Sequence, residues 1–140
     1  EMDGADPVSF PRLVQPVLDQ RCLPCHSKQT AAPNLSGLVQ ADRAGRRPAW
    51  SPAYSALAKY AFGRSGKPPG RGDVRTVPGQ FGAMASKLYQ MLKAGHHDVK
   101  LTSQEMRRLT LWVDCNSNFY GACFDLDKQM SGELVKPDLE

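Results

Sequence analysis

Five consecutive residues carry the side chains best suited to chemistry in this 140-residue chain: Cys22, Leu23, Pro24, Cys25 and His26. Two thiols separated by two residues and followed at once by an imidazole form the C-x-x-C-H pattern through which c-type haem is attached. The thiols add to two vinyl groups on one edge of the porphyrin, and the imidazole becomes the proximal ligand of the iron. The pattern therefore predicts one covalently bound haem c, attached through Cys22 and Cys25 and ligated by His26.

Two other uses of a C-x-x-C pair fit this sequence less well. A redox dithiol is expected in a strand–turn–helix context, which the residues around Cys22 do not show. A zinc site needs two more ligands at short spacing, whereas Cys115 and Cys123 lie far away with a different interval. Neither of these is followed by histidine, so the sequence offers no second haem. We expect them to form a disulfide across residues 116–122, with two free thiols as the alternative.

The second axial ligand of the iron is expected from the short segment between residues 95 and 102. A glycine at position 95 suits the end of one helix, and the Thr-x-x-Glu capping box that starts at Thr102 begins the next. Of the three histidines of the chain, His96 and His97 lie in this segment and His26 belongs to the attachment pattern. The sequence therefore predicts bis-histidine ligation. Position before the last helix slightly favours His97 over His96.

A methionine ligand is disfavoured by where the methionines lie. In His/Met cytochromes the distal methionine comes from the loop before the last core helix, and that loop contains none here. The five methionines of the chain are Met2, Met84, Met91, Met106 and Met130. An iron with only five ligands is the alternative to the bis-histidine prediction.

Apolar residues at helical spacing predict the elements that position these groups. A first helix is expected within Pro7–Arg21, with Ser9 as N-cap, Pro11 at its first position and Pro16 kinking or restarting it. The later helices are expected from Ser51-Pro52 to Gly63, from about Phe81 to Ala94, and onward from Thr102. The buried stripe of the third is predicted to be Met84, Leu88, Met91 and Leu92. The last helix should pack on the first.

Two loops could contribute further contacts to the haem. After the attachment pattern, Pro33 is the candidate for anchoring a loop whose backbone carbonyl orients the proximal imidazole, with an ordinary turn as the alternative. The stretch from Gly63 to Gly82 is rich in glycine and proline and carries four basic residues. Arg71 and Arg75 are candidates there for binding the haem propionates, because a planar guanidinium suits a carboxylate.

Composition indicates a single all-α domain with four to five short helices and long loops, its core at about residues 7–121 and its tail at 122–140. The net charge is +4, which fits a mildly basic surface or a docking face for an acidic redox partner. Basic residues do not alternate with aromatic ones, so nucleic-acid binding is not expected. No apolar run approaches a membrane span. Covalent haem attachment implies export, and Glu1 is interpreted as the start of a processed or excised product.

Several short segments carry a family resemblance. They are the run from Phe10 to Leu18 followed by Cys22-x-x-Cys25-His26, then Ser86-Lys87-Leu88, Gly95-His96-His97 and Leu109-x-x-Trp112-Val113-Asp114. Together they resemble exported cytochrome c domains of the planctomycete type, similar to the C-terminal haem domain of the hydrazine synthase alpha subunit and its relatives. The resemblance implies a mostly helical domain with a bis-histidine haem that serves electron transfer. The catalytic chemistry of that enzyme resides in another domain, so hydrazine synthesis is not implied.

The function expected from the sequence is electron transfer in a periplasmic or otherwise extracytoplasmic compartment. Six ligands on the iron leave no open position for a substrate, so the iron would accept and pass on one electron. The partners expected are a redox protein or other domains of a larger parent protein. Two alternatives remain: an enzyme or gas sensor with an open haem, and a docking module in which haem serves chiefly as a structural core.

Overall fold

The computed structural model of the chain describes residues 6–27, 31–39, 50–61 and 78–137. These residues form seven α-helices and one short 3-10 helix and contain no β-strand. The α-helices are α1 (Phe10–Leu13), α2 (Gln15–Arg21), α3 (Leu23–His26), α4 (Pro52–Ala61), α5 (Lys87–Ala94), α6 (Ser103–Asp114) and α7 (Leu126–Met130). The all-α prediction is confirmed for this part of the chain. The helices outnumber the four to five expected, because the first is divided in two, the C-x-x-C-H pattern forms a helix of its own and the tail adds one.

Proline divides the first helix at the predicted place. α1 ends at Leu13, Val14 forms the junction, and α2 begins at Gln15 with Pro16 in its first turn. Pro16 has no N–H to donate to the turn before it, so the helix restarts there. Pro11 lies at the start of α1 as predicted, and Ser9 lies at the N-cap without a side-chain capping bond.

The core forms where the two ends of the chain meet. Phe10 of α1 and Trp112 of α6 are both fully buried, and their ring centroids lie 5.1 Å apart in an edge-to-face arrangement. Tyr54 of α4 packs edge-on against Phe10 and donates its hydroxyl to the backbone carbonyl of Ser117 at 3.0 Å. The prediction that the last helix packs on the first is confirmed.

The third predicted helix is shorter than expected. The residues Ala83–Ala85 form a 3-10 turn, and α5 begins only after Ser86, whose hydroxyl accepts a hydrogen bond from the Tyr89 N–H at 3.1 Å. Met84 therefore lies outside the helical register and is 55% exposed, and Met91 is also exposed. The buried stripe predicted for these methionines is wrong. Within α5 the Leu88 side chain is buried.

The tail packs onto the core farther than the sequence indicated. α7 contacts α1, and Val135 beyond it is buried. Gln129 in α7 is 2% exposed, and its amide bonds the backbone of residues 121–124. Among the helices of the described residues, none combines the length and apolar character that crossing a membrane requires.

Candidate functional site

α3 is a single turn that holds the whole C-x-x-C-H pattern. Cys22 is both the C-cap of α2 and the N-cap of α3, and its carbonyl accepts hydrogen bonds from the N–H groups of Cys25 at 3.1 Å and His26 at 3.0 Å. Cys22 is half-buried and Cys25 is exposed. One helical turn thus brings both thiols and the imidazole into one compact group.

The His26 ring is fixed from one side by a backbone carbonyl. Its Nδ1 lies 2.9 Å from the carbonyl oxygen of Pro33. Because a carbonyl oxygen only accepts hydrogen bonds, Nδ1 is the donor here, and in the neutral form of the ring this leaves the lone pair on Nε2. This is the kind of carbonyl contact that the sequence predicted for the loop at Pro33, and it prepares Nε2 to bind a metal. The role of Pro33 toward a haem stays a prediction.

The ring of His96 lies close to that of His26, at a separation that one metal ion could occupy. Their ring centroids lie 6.1 Å apart with an interplanar angle of 34°. A bond between an imidazole nitrogen and a metal ion is about 2.0–2.1 Å, so two such bonds span about 4 Å. The distance from each ring centroid to its own nitrogen accounts for the rest of the 6.1 Å between the centroids. The spacing therefore fits one metal ion held between these two side chains.

His97 lies beside this pair rather than opposite His26. Its ring makes an edge-on contact with His96 at 4.6 Å and has no ring contact with His26 in the described part of the chain. The backbone conformation explains why His96, and not His97, lies next to His26. Gly95, His97 and Asp98 all have positive φ, at 97°, 46° and 60°, so the chain turns sharply around His96. The structure thus brings His96, and not His97, next to the His26 ring, whereas the sequence slightly preferred His97; which of the two binds the iron stays a prediction.

The protonation of His96 suits a ligand. Burial lowers the pKa of His96 below its ordinary value, and the charges of His97 and His26 lower it further. A lowered pKa keeps the imidazole neutral at neutral pH, and only the neutral ring has a lone pair free for a metal. Within the described residues, no cluster of three or more His, Cys, Asp or Glu side chains is placed to hold a bare metal ion.

The segment between α5 and α6, which carries His96, is fixed at its C-terminal end by the predicted capping box at Thr102. The Thr102 hydroxyl accepts from the Glu105 N–H at 3.2 Å, and the Glu105 carboxylate accepts from the Thr102 N–H at 2.7 Å. The same carboxylate accepts a charged hydrogen bond from Nε of Arg21 at 2.8 Å. That bond lowers the pKa of Glu105. The capping box is confirmed, and the bond to Arg21 joins it to the residue before Cys22.

Sequence reasoning missed this ion pair. Arg21 and Glu105 are 84 positions apart, so no spacing rule joins them. The only signals were a basic residue directly before the attachment pattern and an acidic residue in a capping box. The effect reaches the first thiol: burial raises the pKa of Cys22, and the negative charges of Cys25 and Glu105 add to the rise.

The remaining predicted residues are not brought to this site. Arg71 and Arg75 lie outside the described residues. Cys115 and Cys123 are free thiols in the structure, one half-buried and one exposed, so their disulfide stays a prediction. A cleft of about 560 Å³ lies elsewhere, between α1, α2, the loop at Ser36 and the end of α7. Its walls include Leu23 but neither cysteine of the pattern nor any histidine.

No protein-family model, no curated protein and no solved structure matches this chain.

Proposed function

We propose that this chain carries one c-type haem, attached through Cys22 and Cys25 and ligated by His26 and His96, and that it transfers single electrons. The observation that supports this most is the close pair of imidazoles, with ring centroids 6.1 Å apart, one of which belongs to the C-x-x-C-H pattern. A bound haem would supply a one-electron iron couple, and His26 and His96 would be the residues that ligate its iron.

The protein's own groups would hold both imidazoles in place. The Pro33 carbonyl fixes the ring of His26 and makes its Nε2 more basic, as outer hydrogen bonds do for metal-bound histidines. The turn at Gly95 and the capping box at Thr102 fix the segment that carries His96. A ligand held at both ends changes position little between oxidation states. This favours an electron carrier over a site that opens to bind substrate.

The wider role follows from this ligation. Imidazole in place of a methionine thioether is expected to lower the reduction potential of the haem at comparable burial. We propose that the chain works outside the cytoplasm, with a redox protein or with other domains of a larger parent protein. A relation to exported cytochrome c domains of the planctomycete type is part of this proposal and is supported by the short motifs quoted above.

Carbon monoxide binding to the reduced protein tests the ligation. The full chain is produced in a host that matures c-type cytochromes, together with the variants His96→Ala and His97→Ala. We expect little rapid binding in the wild-type protein and in His97→Ala, because His96 occupies the far side of the iron. His96→Ala should be high-spin when reduced and should then bind carbon monoxide rapidly. Rapid, complete binding in the wild-type protein would instead indicate an open-site enzyme or gas sensor.

A further inference from the structure

The Arg21–Glu105 pair lies where the two ligand-bearing segments of the chain meet. Arg21 is the last residue of α2 and precedes Cys22 directly, and Glu105 is in the first turn of α6, just after the segment that carries His96. The bond between Arg21 Nε and the Glu105 carboxylate is 2.8 Å long. One carboxylate therefore links the attachment segment to the entry of the last helix.

The local helices favour each charge where it lies. A positive side chain interacts favourably with the C-terminal end of a helix and a negative one with the N-terminal end. Arg21 is in the last turn of α2 and Glu105 is in the first turn of α6. Glu105 also accepts from the Thr102 N–H at 2.7 Å. Its carboxylate is thus held in one orientation by two partners, which fixes the position of its charge.

The pair is partly shielded from water, and the shielding is uneven. The side chain of Glu105 is 13% exposed and that of Arg21 is 34% exposed. Water screens a charge more strongly as exposure increases, so the field of Glu105 at nearby groups is the less screened of the two. Glu105 also acts electrostatically on the Cys22 thiol. Cys22 is where one edge of the haem would be attached.

We propose that Arg21 and Glu105 are a positioning and tuning pair that sets the reduction potential of the bound haem, with Glu105 lowering the potential and Arg21 raising it. A negative charge near the iron favours the oxidised, more positive state, and a positive charge favours the reduced state. The pair also fixes α2 against α6. This inference rests on the proposed haem ligation and adds a residue pair that controls how readily the site takes up an electron.

Redox titration of the matured full chain at low ionic strength tests the proposal. Glu105→Gln keeps a side chain that suits the capping box but removes the charge, and we expect its midpoint potential to rise. Arg21→Gln should lower the potential by a smaller amount because Arg21 is more exposed. Arg21→Lys keeps the charge and should restore a potential close to wild type. The double variant should lie between the two single variants and somewhat above wild type.

A matched control comes from another ion pair of the chain. Lys128 and Asp125 are paired at 3.0 Å beside α7, with both side chains exposed. Lys128→Gln removes a charge there and should leave the potential unchanged. A purely structural role of Arg21 and Glu105 would shift both neutral variants in the same direction, because loosening the junction exposes the haem in either case. That result, or potentials that do not move, would overturn the proposal.

The two failures can be told apart. If the wild-type chain binds no haem after maturation, no potential can be measured and both the proposed function and this inference fail. If haem binds and is low-spin but the two neutral variants do not shift in opposite directions, only the tuning role fails. Urea unfolding of the matured variants gives a second readout: a double-mutant cycle should show favourable coupling between Arg21 and Glu105. Absence of coupling would contradict the positioning role.

Discussion

Gln129 shows how much one residue of the tail contributes. Its amide nitrogen donates to the carbonyls of Ala122 at 3.0 Å and Phe124 at 2.7 Å, and its amide oxygen accepts from the N–H groups of Gly121 and Ala122. All four hydrogen-bonding positions of a primary amide are therefore used. The side chain takes the place of secondary structure in a loop that has none. This role could not be predicted from residue types, because a glutamine in a polar tail usually faces water.

Replacing Gln129 with alanine tests the role of this amide. We expect Gln129→Ala to lower the free energy of unfolding by about 2–4 kcal/mol, because a buried side chain is lost and several part-buried backbone groups lose their partners. Urea denaturation of the full chain measures the change. The matched control is Gln104→Ala on the exposed face of α6, which should change stability by less than about 0.5 kcal/mol. Equal effects of the two substitutions would show that the four hydrogen bonds of Gln129 do not contribute measurably to the free energy of unfolding.

At the residue scale, the sequence was informative where the chemistry is local. Cys22, Cys25 and His26 lie within one turn, so their spacing alone predicts that they act together. The choice between His96 and His97 depends on backbone dihedral angles that a list of residue types does not contain. The structure brings His96 next to His26 because positive φ values follow it at His97 and Asp98.

Elements were predicted best where their boundaries are set by neighbouring residues. The capping box of α6 and the restart of the first helix at Pro16 depend on contacts within four positions, and both are present. α5 begins later than apolar spacing predicts. Apolar spacing continued back to Phe81, but the N-cap at Ser86 and the 3-10 turn before it interrupt the helix. Periodicity alone does not reveal such an interruption.

Gly95 ends α5 and directs the chain into the segment that carries His96. Its φ of 97° is a conformation that side-chain-bearing residues rarely adopt, and a Cβ there would meet no atom within 4 Å. Any effect of Gly95→Ala therefore comes from backbone strain alone. We expect it to lower the free energy of unfolding by about 1–3 kcal/mol and to disturb the low-spin spectrum of the haem-loaded protein.

Gly79 provides the matched control for that substitution. Its φ is 81°, and a Cβ there would also meet nothing within 4 Å. Gly79→Ala should therefore cost stability in a similar way but leave the visible spectrum unchanged, because it is outside the segment between α5 and α6. If Gly95→Ala folds with an unaltered spectrum in both oxidation states, the turn at Gly95 does not place His96.

On the scale of the whole molecule, the two ends of the chain fold together to position the candidate site. Phe10 and Trp112 join α1 to α6 in the core, and the Arg21–Glu105 pair joins the following α2 to the start of α6. His26 lies in α3, which directly follows α2, and His96 lies in the segment just before α6. Helical periodicity predicted this packing in outline, but contacts across 84 positions need the folded chain.

The central claim is that one haem is covalently bound and ligated by two imidazoles. The most direct test is the visible absorption spectrum of the matured full chain, recorded in oxidised and reduced forms after loosely bound haem has been removed. We predict the spectrum of a low-spin, six-coordinate c-type haem in both states, without the charge-transfer band of a methionine ligand. A chain that retains no porphyrin, or a spectrum that is high-spin or shows methionine ligation, would contradict the account.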